Sequence, residues 1–68
     1  MQHGRKPPHK LLEEARIRAD LSQQALGDLL GIHQSLVSKL EKARRRPGLT
    51  TALKIRAFAG IPVEDWAA

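Results

Sequence analysis

The stretch LSQQALGDLLGIHQSLVSKLE, residues 21–41, constrains this chain more than any other feature. Its apolar residues recur at helical spacing, and Gly31 interrupts the run. Ser22 is a good N-cap for the helix QQALGDLL, with Leu26, Leu29 and Leu30 expected on its buried side. Gly31 fits the left-handed position just past that helix's end. A next helix is predicted to begin near Gln34. Stepping about 100° per residue places Leu36, Val37 and Leu40 on one side, and Gln34, Ser35, Ser38, Lys39 and Lys42 on the other. Any fold must therefore hold two short helices apart by a tight turn and leave the second half core, half polar rail.

The flanking segments read the same way. PPHKLLEEARIRA forms a first helix, with Pro8 in its opening turn, where a missing N–H costs nothing. Leu12, Ala15 and Ala19 make its apolar stripe, Leu11 flanks it, and Asp20 and Leu21 form a short link. Pro47 and Gly48 break the chain after ARRR. A fourth helix then spans roughly Leu49 to Ala59, with Leu49, Ala52, Ile55 and Ala59 in register and Gly60 as its stop. IPVEDW adds a last short turn after Pro62. No run alternates at period two. The expected fold is all-α, a compact bundle of four to five short helices, with a basic arm at residues 1–10 and one domain over residues 11–68.

At 68 residues the chain makes one domain. A domain this small buries only about 60% of its unfolded surface, so reinforcement is expected. Without cysteine, disulfides and thiolate metal sites are excluded. His3, His9 and His33 lie in different segments without ligand spacing, so no metal and no cofactor is expected. A partner subunit is the remaining reinforcement. The basic start MQHGRKPPHK lacks the apolar core of a signal peptide, and no stretch approaches the ~20 apolar residues of a membrane span. A cytoplasmic location follows as an expectation.

Net charge is +5, and it is localised. Arg5, Lys6 and Lys10 crowd the start; Lys39, Lys42, Arg44, Arg45 and Arg46 crowd a second stretch opposed only by Glu41. Such clusters suit a face that meets a polyanion, or a solvated surface that keeps the chain soluble. An enzyme is not expected. The seven acids are scattered, no Ser/His/Asp grouping or phosphate-cradling glycine loop exists, and Glu13 and Glu14 read as a solvated surface. Phe58 and Trp66, the only aromatics, sit away from the basic residues, which disfavours single-strand binding by stacking. Core packing is the default for both, and Trp66 could alternatively anchor a symmetric subunit contact.

Two short helices joined by a glycine turn form a helix-turn-helix unit. The apolar half of the second helix would lock it to the core. Its polar half would suit the DNA major groove, which admits one α-helix. At this point the chain resembles the XRE family, the lambda repressor and Cro-like helix-turn-helix domains. The matching residues are Arg16, LSQ at 21–23, Leu26, LGI at 30–32, QS at 34–35, Val37, Ser38, Glu41, RRRP at 44–47 and GIPVED at 60–65. The resemblance runs from about Leu12 to Trp66.

That resemblance implies roles. Gln34, Ser35 and Lys39 match positions that reach base edges. Gln23 matches a position that holds a phosphate and braces the first residue of the reading helix, Gln34. Ser38, Lys42, Arg44, Arg45, Arg46 and Thr50 are the further phosphate candidates, and Arg16 with Glu41 matches a structural ion pair. Three positions depart from the family pattern. Ala43 stands where glycine is usual, at a cost of about 1–2 kcal/mol if the backbone there is left-handed. His33 replaces a serine or threonine, which predicts a weaker N-cap and leaves a phosphate contact or a solvent-facing ring as its roles. Arg56 replaces a small apolar residue, which leaves the buried face of the fourth helix open. The implied function is a sequence-specific regulator of transcription that binds double-stranded DNA as a homodimer on a palindromic operator. Repression is expected over activation, since no stretch remains for an effector domain. An antitoxin that also binds a partner protein, such as a toxin, is the alternative, and a restriction-modification controller or phage switch is a third setting. The arm has two readings, a groove- or backbone-crossing extension or a disordered tail.

Overall fold

A computed structural model describes residues 6–67. The first element, α1, spans Pro8–Arg18. Pro7 precedes it in extended backbone, and its carbonyl accepts from the N–H groups of Lys10 and Leu11, both at 3.1 Å. The helix ends one residue before the predicted boundary. Asp20 turns left-handed at φ 59°, which lets Leu21 N–H donate to Arg16 O at 3.0 Å and Asp20 N–H to Ile17 O at 2.9 Å. Aspartate tolerates that backbone better than most residues do.

Next come α2, Gln23–Leu30; α3, Gln34–Glu41; α4, Leu49–Ala59; and a short 3-10 helix, Val63–Ala67. No strand occurs among the described residues. The fold is all-α. Helices α2 and α3 pack on one another, and α1 lies across α3 and α4. Among the described residues, no helix is long and apolar enough to cross a membrane.

The core gathers one or two residues from each element. Leu12 comes from α1, Leu26 and Leu30 from α2, Val37 and Leu40 from α3, and Ala52 and Ile55 from α4. Ile61 and Trp66 close it from the C-terminal end. Burial contributes about 1.5–3 kcal/mol per large aliphatic side chain, so this cluster is the main source of stability. Trp66 is only 8% exposed and Phe58 packs half-buried against the cluster, so both serve the core.

Three residues expected on buried stripes face water instead. Ala19 falls beyond the end of α1 and is exposed. Leu29 is 57% exposed because the buried arc of α2 runs from Leu26 through Leu30 to Gly27, and Leu29 lies on the far side of Leu26. Leu49 is 68% exposed. It opens α4, and the Cα–Cβ bond of a first helical residue tilts off the helix end rather than onto a neighbour. Arg56 is exposed, so Ala52 and Ile55 alone define the fully buried side of α4.

Candidate nucleic-acid interface

The turn between α2 and α3 is built from backbone. Ser22 Oγ accepts from Ala25 N–H at 3.0 Å and fixes the start of α2. Gly31 adopts φ 72°, and Ile32 N–H returns to Gly27 O at 2.9 Å. This is the left-handed glycine stop predicted from sequence. Gly27 itself carries a second constraint. A Cβ there would lie 2.6 Å from Ile32 O and 3.3 Å from Gln34 N. Only a hydrogen at that position lets the start of α3 approach α2 this closely.

α3 is divided lengthwise. Val37, Leu40 and Glu41 are buried, Leu36 and Ser38 are half-buried, and Gln34, Ser35 and Lys39 are exposed together. Ser35, Ser38 and Lys39 line one shallow groove with Lys42, Arg44 and Arg45. Hydroxyls and ammonium and guanidinium groups thus share a single face. The N-cap of α3 is His33, whose Nδ1 accepts from Ser35 N–H at 3.0 Å. The cap expected to be weak is therefore made, by an imidazole nitrogen in place of a hydroxyl.

A buried network sets the tilt of α3. Arg16 Nε donates to Glu41 Oε2 at 2.7 Å and Arg16 Nη2 to Glu41 Oε1 at 3.2 Å. Arg16 Nη1 donates to Leu21 O at 2.9 Å, and Gln23 Nε2 donates to Glu41 Oε1 at 3.1 Å. Glu41 is 6% exposed, and three side-chain N–H donors compensate its removal from water. The hydrogen bond to Glu41 pushes the Arg16 guanidinium pKa above its already high value, so this group keeps its charge. Gln23 was expected to brace Gln34; its amide instead reaches Glu41, at the other end of α3.

A family model described as helix-turn-helix matches residues 12–66. The chain belongs to the XRE-type helix-turn-helix family. It is 33% identical over 54 residues to an HTH-type transcriptional regulator of Methanocaldococcus jannaschii, covering 79% of this chain and 82% of that protein. Among solved structures it is similar to the restriction-modification controller protein C.AhdI from Aeromonas hydrophila, with a TM-score of 0.72 and 28% identity over 88% of this chain and 91% of that one. The family is one of DNA-binding transcription regulators rather than enzymes.

In the helix-turn-helix, α3 is the second helix, and its exposed side carries Gln34, Ser35 and Lys39. The remaining sequence-predicted phosphate residues lie beyond its C-terminal end. There Ala43 is left-handed at φ 59°, Ala43 N–H donates to Leu40 O at 3.2 Å, and Arg44 N–H donates to Lys39 O at 2.8 Å. These two bonds reverse the chain in a Schellman turn. Arg44, Arg45 and Arg46 follow it exposed, as is Thr50 in the first turn of α4. Of the basic arm, residues 1–5 lie outside the described residues; Lys6 pairs with Glu14 at 2.7 Å on the surface of α1. Hydrogen bonding to Lys6 holds the Glu14 carboxyl below its ordinary pKa.

Two structural contributions to this surface go beyond the sequence reading, the close packing at Gly27 and the cap made by His33. Periodicity assigns Gly27 no role in QQALGDLL, although an isolated glycine inside a helical pattern is itself a packing signal. His33 predicts a weaker cap because hydroxyl and carboxamide oxygens are the usual acceptors.

Proposed function

We propose that this chain is a sequence-specific repressor that occupies a palindromic operator in double-stranded DNA as a homodimer. The observation that carries the reading is the exposure of Gln34, Ser35 and Lys39 along one side of α3 while its other side is locked into the core. Gln34 and Lys39 have the donors and acceptors to distinguish base pairs, each well-formed pair of contacts contributing about 1–3 kcal/mol of discrimination. Ser35 completes the reading surface. Ser38, Lys42, Arg44, Arg45, Arg46 and Thr50 hold phosphates and set the register. Gln23 adds a phosphate contact through the part of its amide that Glu41 leaves free.

The dimer presents two copies of α3 to successive major grooves ~34 Å apart. Exposed Leu29 and Leu53, with half-buried Phe58, supply apolar area for a subunit contact. Occupancy of the operator excludes polymerase from the same DNA, so repression needs no additional surface. The division into a basic arm, residues 1–10, and a DNA-binding domain, residues 11–68, belongs to the same reading, with Pro8 to Lys10 forming the first turn of α1 where the two meet. The protein acts where the DNA is, in the cytoplasm. The likeness to a restriction-modification controller supports control of a restriction-modification gene pair as its setting.

Selection of bound duplexes from a random pool tests the reading, followed by titration at several salt concentrations. A two-fold-symmetric consensus is expected, preferred over random DNA by ~10³-fold or more. The log–log salt slope should be several units. Equal affinity for all duplexes would sink the claim that α3 reads sequence, and a consensus without symmetry would sink the homodimer.

A further inference from the structure

His33 does more than cap α3. Its Nδ1 accepts from Ser35 N–H at 3.0 Å and lies 3.0 Å from Ser35 Oγ as well. An acceptor role for Nδ1 requires the neutral ring with its proton on Nε2. A nitrogen without a proton attracts the Ser35 hydroxyl only through the hydroxyl's own hydrogen. With Nδ1 unprotonated, the 3.0 Å contact is a hydrogen bond only when Oγ–H points to the ring and shares Nδ1 with Ser35 N–H, which leaves the oxygen lone pairs to accept from elsewhere. We propose that His33 sets the hydrogen-bonding polarity of Ser35, making it an acceptor toward the base edge when His33 is neutral and a donor when His33 is protonated. This rests on the reading of α3 as the base-reading helix.

The proton balance is simple. Solvent supplies a proton to Nδ1, Nδ1–H then donates to Ser35 Oγ, and the hydroxyl hydrogen swings outward. Ser35 N–H loses its acceptor in the same step, which loosens the first turn of α3. In the major groove, adenine and cytosine present amino donors at the contacted position, whereas guanine and thymine present carbonyl acceptors. An accepting Ser35 suits the first pair, and a donating Ser35 suits the second. His33 shares a shallow depression with Gln24, Asp28, Ile32 and Gln34, and Asp28 of α2 is the charged group among them. Ser35 follows two residues on, in the first turn of α3.

The experiment is competition between the selected duplex and duplexes substituted one position at a time, at pH 8 and pH 5.5. Wild-type protein is compared with His33→Asn, which keeps a capping acceptor but does not titrate, and with Ser35→Ala. At one position, wild type should favour an amino base at pH 8, with the amino-to-keto preference falling on the order of fivefold at pH 5.5, the discrimination of one neutral hydrogen bond. Both variants should lose that pH dependence while keeping the rest of the consensus. Overall affinity is not the readout, because any added positive charge strengthens binding to phosphates at low pH. Nitrogen NMR of the His33 ring supplies a second measurement, with an unprotonated Nδ1 expected at pH 8. A preference that does not change with pH, a change that survives in His33→Asn, or an Nδ1–H tautomer at pH 8 overturns the inference while leaving α3 as the reading helix. Absence of any sequence preference at pH 8 overturns both.

Discussion

Replacing Ala43 with glycine should make this protein more stable, although it removes atoms and adds no contact. Ala43 sits at φ 59°, where a Cβ crowds the neighbouring carbonyl at a cost of about 1–2 kcal/mol. Its methyl is exposed, so deleting it opens no cavity in the core. The two bonds that define the turn, Ala43 N–H to Leu40 O and Arg44 N–H to Lys39 O, are backbone bonds and survive the substitution. Against the relief stands the wider freedom of glycine in the unfolded chain, about 0.4–1 kcal/mol. The balance is a gain centred on ~0.8 kcal/mol, equivalent to a rise of about 3–6 °C in Tm for a domain of this size. Urea unfolding at fixed protein concentration measures it, the expected signature being a higher midpoint at unchanged slope. Asp20→Gly is the internal comparison: the same φ with a more tolerant side chain predicts a smaller gain. A midpoint for Ala43→Gly equal to or below that of the parent refutes the assignment of strain to this turn.

Arg16→Ala leaves Glu41 buried with Gln23 as its remaining side-chain partner, and the loss should be about 3–5 kcal/mol, enough to unfold much of the population at 25 °C when followed by circular dichroism. Gly27→Ala drives a methyl to 2.6 Å from Ile32 O, so α2 and α3 must separate; destabilisation of about 1–3 kcal/mol is expected in denaturant titration, and an unchanged midpoint would show that the approach is softer than the geometry implies. Gln34→Ala should relax base preference at one position of the selected site with the fold intact, whereas Arg45→Ala should weaken all duplexes alike and lower the salt slope by about one unit.

Much of this architecture was legible in the residues because it depends on local signals. Ser22, Gly31, Pro8 and Gly60 mark helix ends through their own backbone and side-chain chemistry, and the predicted boundaries lie within a residue of those observed. The polar side of α3 was legible for the same reason, since periodicity alone separates Val37 and Leu40 from Gln34, Ser35 and Lys39. What was not legible depends on tertiary approach. Leu29 and Leu49 have apolar side chains at acceptable helical positions, but nothing in the sequence near them states where the neighbouring helix lies. Gln23 likewise reaches Glu41 across 18 positions of sequence, a choice made by packing rather than by local preference. The resemblance to a family supplied the Arg16–Glu41 pairing, which spacing alone would have left as one of many charge pairs.

The Glu41 carboxylate ties the end of α3 to α1 through Arg16 and to the start of α2 through Gln23, while Arg16 also clasps the carbonyl of Leu21 in the link between them. In the proposed operator complex docking would require little reorganisation, because the angle at which α3 leaves the body is settled in advance by a clamp on its far end. On that reading, adaptation to a new operator would proceed by exchanging side chains on the outer face of α3 alone, with the scaffold's aim inherited unchanged.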